Sequence, residues 1–329
     1  MRIAAVCALL ALGACAPSSA SAPIPEQWRS ISVEARPAQL GADHVGSLRF
    51  RGGLVLRSSD AGFGGWSDLA VLADNRVIAE SDTGEWLSMN LRLDANGTLT
   101  GVSDARIALM RDEHGQPFEN KEAGDAEDLA QLPDGRFAVS FEQTQTIRIY
   151  DLNRDGPFGA AQPGPGLAGT EHLAPNVGLE GLAVDADGAL IVGAEEGPHG
   201  ASDLWRVPLN AAAPVAPIAR YPLATGFGLS SLDRLPSGDF VALERFYAPV
   251  IGVRIRISRF TAHDLDVGGE IHKQELALLR APMSLDNFEG VSAVRRPDGG
   301  VRLYLISDDN FSAHQRTLIY AFDVEGARP

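Results

Sequence analysis

The chain has 329 residues, 45% of them hydrophobic, and carries 43 acidic against 28 basic side chains for a formal net charge of −15. So acidic a surface repels phosphate backbones, which argues against nucleic acid as a partner, while the length is enough to bury one large core. The two cysteines, Cys7 and Cys15, both lie at the extreme N-terminus, so no disulfide, zinc site or cysteine nucleophile is expected in the rest of the chain.

Met1-Arg2, the apolar run Ile3 to Ala11 and the small residues of Leu12-Gly13-Ala14-Cys15 predict a signal peptide over residues 1–14. Polar Pro17-Ser18-Ser19 follow too soon for a membrane span, which needs about 20 apolar residues. Leu-Gly-Ala-Cys resembles the bacterial lipobox, so Cys15 is expected to be lipidated; an ordinary secretory peptide cut nearby is the alternative. Ala16 after the cysteine implies, by the same resemblance, an exported protein anchored to the outer membrane and facing the periplasm. The Ser-, Ala- and Pro-rich stretch that follows predicts a lipidated cysteine and flexible tether over residues 15–30, and one domain over residues 31–329. Contact with membrane is expected through the lipid alone, and the protein is expected to be a monomer.

Five segments of the domain repeat one grammar: a polar or acidic residue, a strand, a Gly or Asn turn, a second strand, then an acid. They start at Ser67, Glu127, Glu180, Ser230 and Glu289, and their turns include Asp74-Asn75, Asp134-Gly135, Asp187-Gly188, Ser237-Gly238 and Asp298-Gly299. Asp-Gly and Asp-Asn between apolar runs are hairpin signals because both residues tolerate positive φ. Third strands follow at Thr146 to Leu152, Asp203 to Val207, Arg254 to Phe260 and Thr317 to Val324. Fourth strands follow at Arg106 to Leu109, Pro217 to Tyr221 and Glu275 to Leu279. Four antiparallel strands per repeat predict an all-β propeller of five four-stranded blades. A sixth, degenerate blade within Gly156 to Asn176 is the alternative, although that Pro- and Gly-rich segment reads as a loop. The last repeat runs out of chain after three strands, so Ser47 to Arg57 is expected to supply the fourth and close the ring.

The start of a blade's first strand and the end of its second lie at the same edge, so both marks of the repeat fall on one face. Glu127, Glu180 and Glu289 are thereby expected around one funnel with Glu80, Asp82, Glu142, Glu195, Glu196, Glu244, Asp308 and Asp309. Crowded carboxylates repel unless a cation or protons neutralise them. Hard oxygen ligands without thiols select Ca²⁺ or Mg²⁺, and Glu127, Glu180, Glu195, Glu244, Glu289 and Asp308 are the candidate metal ligands. The alternative is that each acid caps backbone N–H groups at the strand ends. Only Lys121 and Lys273 are lysines, and Arg245 follows Glu244 at a funnel-facing strand end, where it either neutralises that glutamate or holds an anionic substrate group. No Gly-x-Ser-x-Gly elbow is present; Asp151 to Gly156 begins like a calcium loop but reads as a turn.

Five motifs carry a family resemblance: Phe63-Gly64-Gly65-Trp66-Ser67, Asn176-Val177-Gly178-Leu179-Glu180-Gly181-Leu182-Ala183, Leu243-Glu244-Arg245, Asp286-Asn287-Phe288-Glu289-Gly290, and Ser307-Asp308-Asp309-Asn310-Phe311-Ser312 with Gln315 and Thr317. Together they resemble the phytase-like domain family, also described by the esterase-like activity of phytase. The resemblance implies a propeller hydrolase of phosphate or other esters acting on a small anionic or ester substrate. In the chemistry it implies, calcium neutralises the funnel, Arg245 and Lys273 take up remaining negative charge, and Glu180 or Glu289 accepts the proton of a water. Two other readings stand beside it. One is a non-catalytic propeller that binds a ligand or partner around a structural calcium; the other is a lactonase-type propeller with Glu180, Asn287 and Asp308 on one calcium.

Overall fold

A computed structural model describes residues 27–174 and 177–326. The segment read as a signal peptide and the expected lipidation at Cys15 fall outside them. The chain forms five blades around a central channel, each a meander running from the channel outwards. Blade 1 comprises Trp66–Val71, Arg76–Ser81, Glu85–Leu93 and Leu99–Leu109, and blade 2 comprises Ala126–Gln131, Phe137–Phe141, Thr146–Tyr150 and Gln162–Pro163. Blade 3 is Gly181–Val184, Leu190–Gly193, Ala201–Val207 and Ala219–Pro222; blade 4 is Phe227–Arg234, Phe240–Ala248, Gly252–Phe260 and Gln274–Arg280. Blade 5 takes Asn287–Arg295, Val301–Asp308 and Thr317–Val324 from the C-terminal end of the chain.

The fourth strand of blade 5 is Leu48–Arg57, paired antiparallel with Thr317–Val324 from Thr317↔Leu56 to Val324↔Leu48. The ring therefore closes with the expected segment, which removes an otherwise bare edge. Glu34–Ala38 adds a further strand outside it, and Arg29–Ser30 pairs with the outer strand of blade 1. Among its described residues, the segment read as either a loop or a sixth blade contributes only the short outer strand of blade 2 and two single turns of 3₁₀ helix.

Five apolar clusters hold the blades together, one in each interface between neighbours. Blades 4 and 5 meet through Leu243, Ile255, Phe288 and Tyr320, and blades 5 and 1 through Leu54, Trp66, Leu87 and Ile319. Blades 1 and 2 meet through Trp86, Phe137 and Tyr150, blades 2 and 3 through Ile149, Leu182 and Trp205, and blades 3 and 4 through Leu204, Tyr221 and Phe240. Because each sheet is sandwiched between two others, middle strands such as Val301–Asp308 are buried on both faces and read as nearly continuous apolar runs.

The innermost strand of each blade faces the channel with backbone N–H groups that no strand can satisfy. Side chains from other blades do so instead. Asp68 accepts from Leu129 N (3.3 Å), Asp128 from Leu182 N (2.6 Å) and Leu232 N (3.1 Å), Ser231 Oγ from Val291 N (3.1 Å) and Ser292 Oγ from Val71 N (2.9 Å). These bonds run from each blade to another and tie all five together around the axis. Gly290 leaves the space that the Asp68 carboxylate fills, since a Cβ there would run into it.

Candidate functional site

The residues that open onto the funnel are positioned by a repeated local irregularity. In blade 1 Trp66 pairs with Ser81 and Asp68 with Glu80, leaving Ser67 as an extra residue between them. The same slip leaves Glu127 extra in blade 2, Ser230 in blade 4 and Glu289 in blade 5. A bulge of this kind re-aims one side chain and sharpens the strand's twist. In blade 3 Glu180 immediately precedes the strand. The five inner-strand starts thus present Ser67, Glu127, Glu180, Ser230 and Glu289, and the residue after each of the first two, Asp68 and Asp128, caps backbone below.

The funnel glutamates are not themselves caps. Glu127, Glu180 and Glu195 accept no hydrogen bond from the described residues; further acids face all three, and Arg245 stands beside Glu180 and Glu195. Burial, then repulsion from Glu180, pushes the Glu127 carboxyl well above the ordinary carboxylate range; burial and Glu195 do the same to Glu180. Burial raises Glu195 as well. Glu289 is pushed up to about 7 by burial, against the opposing pull of Arg245. Asp308 rises to about 8 through burial and Glu289, and Glu142 to about 7 through burial and Asp125. Asn287 donates to Glu289 Oε1 at 2.7 Å, and Asn310 N to Asp308 Oδ1 at 2.7 Å. Asn287 and Asp308 face each other across the first two strands of blade 5.

One guanidinium stands among these acids. Arg245 is held charged by Glu289, Glu180, Glu195 and Asp308 despite burial. Its nearest carboxylate oxygen, Glu289 Oε1, is 3.6 Å from Nη2, and Nε is buried without a hydrogen-bond partner. A cation with unspent donors among unpaired carboxyls is poised to bind an anion.

Glu244 and Lys273, both expected at the funnel, are elsewhere, and this corrects the sequence reading. Successive strand residues point to opposite faces, so with Arg245 turned towards blade 5, Glu244 turns towards blade 3. There it is fully buried, accepting from Tyr221 Oη (2.7 Å), Lys273 Nζ (2.7 Å), Ser258 Oγ (3.1 Å) and Arg256 Nη1 (3.4 Å). Lys273 lies over the Tyr221 ring, its ammonium 4.4 Å from the centroid. Glu80 is also fully buried, below the mouth, with Asp68 N at 3.4 Å from Oε2.

The lysine that does reach the funnel is Lys121. It lies on a short helical turn, Lys121–Gly124, capped by the Asn120 side chain, and its ammonium is 2.6 Å from Asp82 Oδ2 and 2.8 Å from Asp125 Oδ1. Asp125, Glu127 and Glu142 each offer an oxygen, and the three oxygens lie within 4.8 Å of one another. Of the six candidate metal ligands only Glu127 belongs to this trio; Glu180, Glu195, Glu289 and Asp308 share the funnel around it. Asp125 and Lys121 were not foreseen. The spacing Asp125-x-Glu127 at a strand start, which puts both on one side, and the i,i+4 pair with a rare lysine were the signals available.

The other motif residues build the rim. Gly65, at φ +64°, leaves room for the Asp82 carboxylate and the Phe311 ring, both of which a Cβ would strike. Its N–H donates to Asp309 Oδ1 at 3.1 Å, and Asp309 Oδ2 accepts from Thr317 Oγ1 at 2.9 Å, which links blade 1 to blade 5.

The chain is a five-bladed β-propeller with a carboxylate-lined site at the mouth of its channel. The chain belongs to the phytase-like family, described by the esterase-like activity of phytase, whose model matches residues 61–311. No curated protein matches the sequence. Among solved structures the fold is similar to a protein taken to be a gluconolactonase (15% identity, TM-score 0.44, covering 91% of this chain and 96% of that one). It is also similar to the PQQ-bound aldose sugar dehydrogenase of Streptomyces coelicolor (15%, 0.42, 92% and 100%) and to virginiamycin B lyase of Staphylococcus aureus (8%, 0.41, 89% and 99%). At such identities what those proteins act on does not carry over.

Proposed function

We propose that the chain is a calcium-assisted hydrolase of phosphate or other esters, exported and held by a lipid on Cys15 to the periplasmic face of the outer membrane. The observation that carries the catalytic reading is Arg245, a guanidinium with unspent donors facing Glu180, Glu289 and Asp308 at the mouth of the channel. Membership of the family supports ester hydrolysis. The all-oxygen trio Asp125, Glu127 and Glu142 fits a hard divalent cation, and would hold one in place of the single charge that Lys121 now supplies. Bound there, calcium would neutralise the acids and polarise an ester oxygen.

The protein's own groups have separable tasks. Arg245 binds the anionic oxygens of the ester and stabilises the charge that grows on them. Glu289, whose carboxyl titrates near neutrality and whose Oε1 is oriented by Asn287, accepts a proton from the attacking water. The water's oxygen bonds to the phosphorus or acyl carbon, the ester bond breaks, and Asp308, raised further and protonated, gives its own proton to the departing alkoxide; the proton taken up by Glu289 then restores Asp308.

A panel of phosphomonoesters, carboxylesters and lactones, with and without chelator, tests this reading. Arg245→Ala is expected to lower kcat/KM for the best substrate by about 10²-fold or more, the scale seen when one charge-stabilising donor is lost. Full activity in Arg245→Ala, or no turnover of any ester with calcium present, rules the mechanism out. Unchanged incorporation of a palmitate analogue after Cys15→Ser would do the same for the anchor.

A further inference from the structure

The funnel opens sideways into a cavity of about 850 Å³ between blades 4 and 5. One wall is the hairpin made by Phe240–Ala248 and Gly252–Phe260. Tyr247 stands two residues beyond Arg245 and so projects from the same face, and Val253 is its cross-strand partner. The opposite wall brings Leu285, Asn287 and Glu289 from blade 5. The hairpin is unusually apolar for an exposed rim: Tyr247 is 64% exposed, and Val250 and Ile251 at the tip are exposed as well. Val250 has φ +73°, a left-handed conformation that a β-branched residue rarely adopts and that tends to be retained at functional sites.

The cations of the cavity are unequal. Arg316 spends Nε on Asp286 (2.9 Å), Nη1 on Ser284 Oγ (3.1 Å) and Nη2 on Leu285 O (2.8 Å). Arg245 keeps its donors. The cavity thus offers one uncommitted guanidinium, carboxyls behind it, and an aromatic and aliphatic wall beyond. A polyanion would set its further charges against Glu289 and the funnel acids behind it, whereas a single anionic group is matched by Arg245 and leaves the apolar wall to be covered.

We propose that the substrate is an amphiphilic ester with one anionic group, held by Arg245, and an aromatic or apolar alcohol portion lying on Tyr247, Val253 and Leu285. The proposal rests on the hydrolase reading of the same funnel and names its substrate class. A highly phosphorylated sugar or cyclitol is excluded by it.

Titration calorimetry on the full chain with uncleavable probes tests the recognition apart from turnover. Naphthylmethylphosphonate is expected to bind at least tenfold more tightly than methylphosphonate, and inositol hexakisphosphate more weakly than naphthylmethylphosphonate. Tyr247→Ala, at an exposed position that does not support the core, should erase most of the tenfold advantage and leave methylphosphonate binding within twofold; Tyr247→Phe should keep the advantage. Tighter binding of the hexakisphosphate, an advantage that survives Tyr247→Ala, or no binding of either phosphonate overturns the proposal. Probe binding as expected without turnover of 2-naphthyl phosphate or any other ester would end the hydrolase reading and leave the recognition standing. Turnover that prefers inositol hexakisphosphate would do the reverse.

Discussion

Two groups of buried or half-buried carboxyls in this propeller are treated in opposite ways. Glu244, between blades 3 and 4, accepts four hydrogen bonds, three from Lys273, Tyr221 and Ser258 within 3.1 Å and one from Arg256 at 3.4 Å. Glu127, Glu180 and Glu195, at the funnel, accept none from the described residues and face further acids. Burying a charge is costly unless it is paired and hydrogen-bonded. The first site meets that requirement inside the fold, and the second leaves it to protons, a cation or a ligand. Buried acidity alone therefore does not mark a functional site; buried acidity whose compensation is left outside the fold does.

This contrast can be broken in several ways. Glu244→Ala leaves Lys273 and Arg256 without their shared anion, and removing one member of a buried ionic group costs about 3–5 kcal/mol. Urea denaturation should show that loss equally with and without calcium; a loss of under about 1 kcal/mol would mean that the cluster is not structural. Chelation should act on the funnel alone. At a hundredfold excess over its dissociation constant a native-state ligand stabilises by about 2.7 kcal/mol, so a chelator should lower the Tm by several degrees. Glu127→Gln with Glu142→Gln should abolish that response. Calorimetry showing no calcium uptake by the unaltered chain would remove the metal from the mechanism.

The pH dependence sharpens the same point. Glu289 and Glu142 move from an ordinary value of 4.5 to about 7, and Asp308 from 3.8 to about 8. Between roughly pH 4 and 8 the folded protein then binds more protons than the unfolded one, so each of these groups makes stability fall as pH rises. Its favourable share is full below the ordinary value and gone above the raised one. Metal-free protein should accordingly melt at a lower temperature at pH 8 than at pH 5, and saturating calcium should flatten the slope. A Tm that rises across that window in chelator would contradict the unpaired state of the funnel. The smallest effect is the most diagnostic: Glu180→Gln removes repulsion without changing shape and should stabilise the metal-free fold by about 0.5–1 kcal/mol, opposite in sign to Glu244→Ala.

Much of this was legible along the chain. Polar or acidic starts, Gly or Asn turns and terminal acids recurring five times named the blades, the inner strands and Glu127, Glu180 and Glu289 as channel residues. The shortfall of one strand at the C-terminus pointed to Ser47 to Arg57 as its replacement, and Leu48–Arg57 takes that place. These features are local: hairpin chemistry and strand count are written in consecutive residues, and ring closure follows from the need to pair a last edge.

What the residue order did not settle was which side of a strand meets which blade. Glu244 and Arg245 are neighbours, so period two allows only one of them at the funnel, and the packing of Leu243 and Ile255 against Phe288 in the interface with blade 5 chose Arg245. The bulges at Ser67, Glu127, Ser230 and Glu289 are likewise absent from any single-strand pattern, because each is defined by its partner's register. Lys121 reaches Asp82 across 39 positions of chain. Strand identity and turn placement are short-range properties that sequence states directly; the facing of side chains and the pairing of charges depend on how five sheets pack radially, which only the closed ring determines.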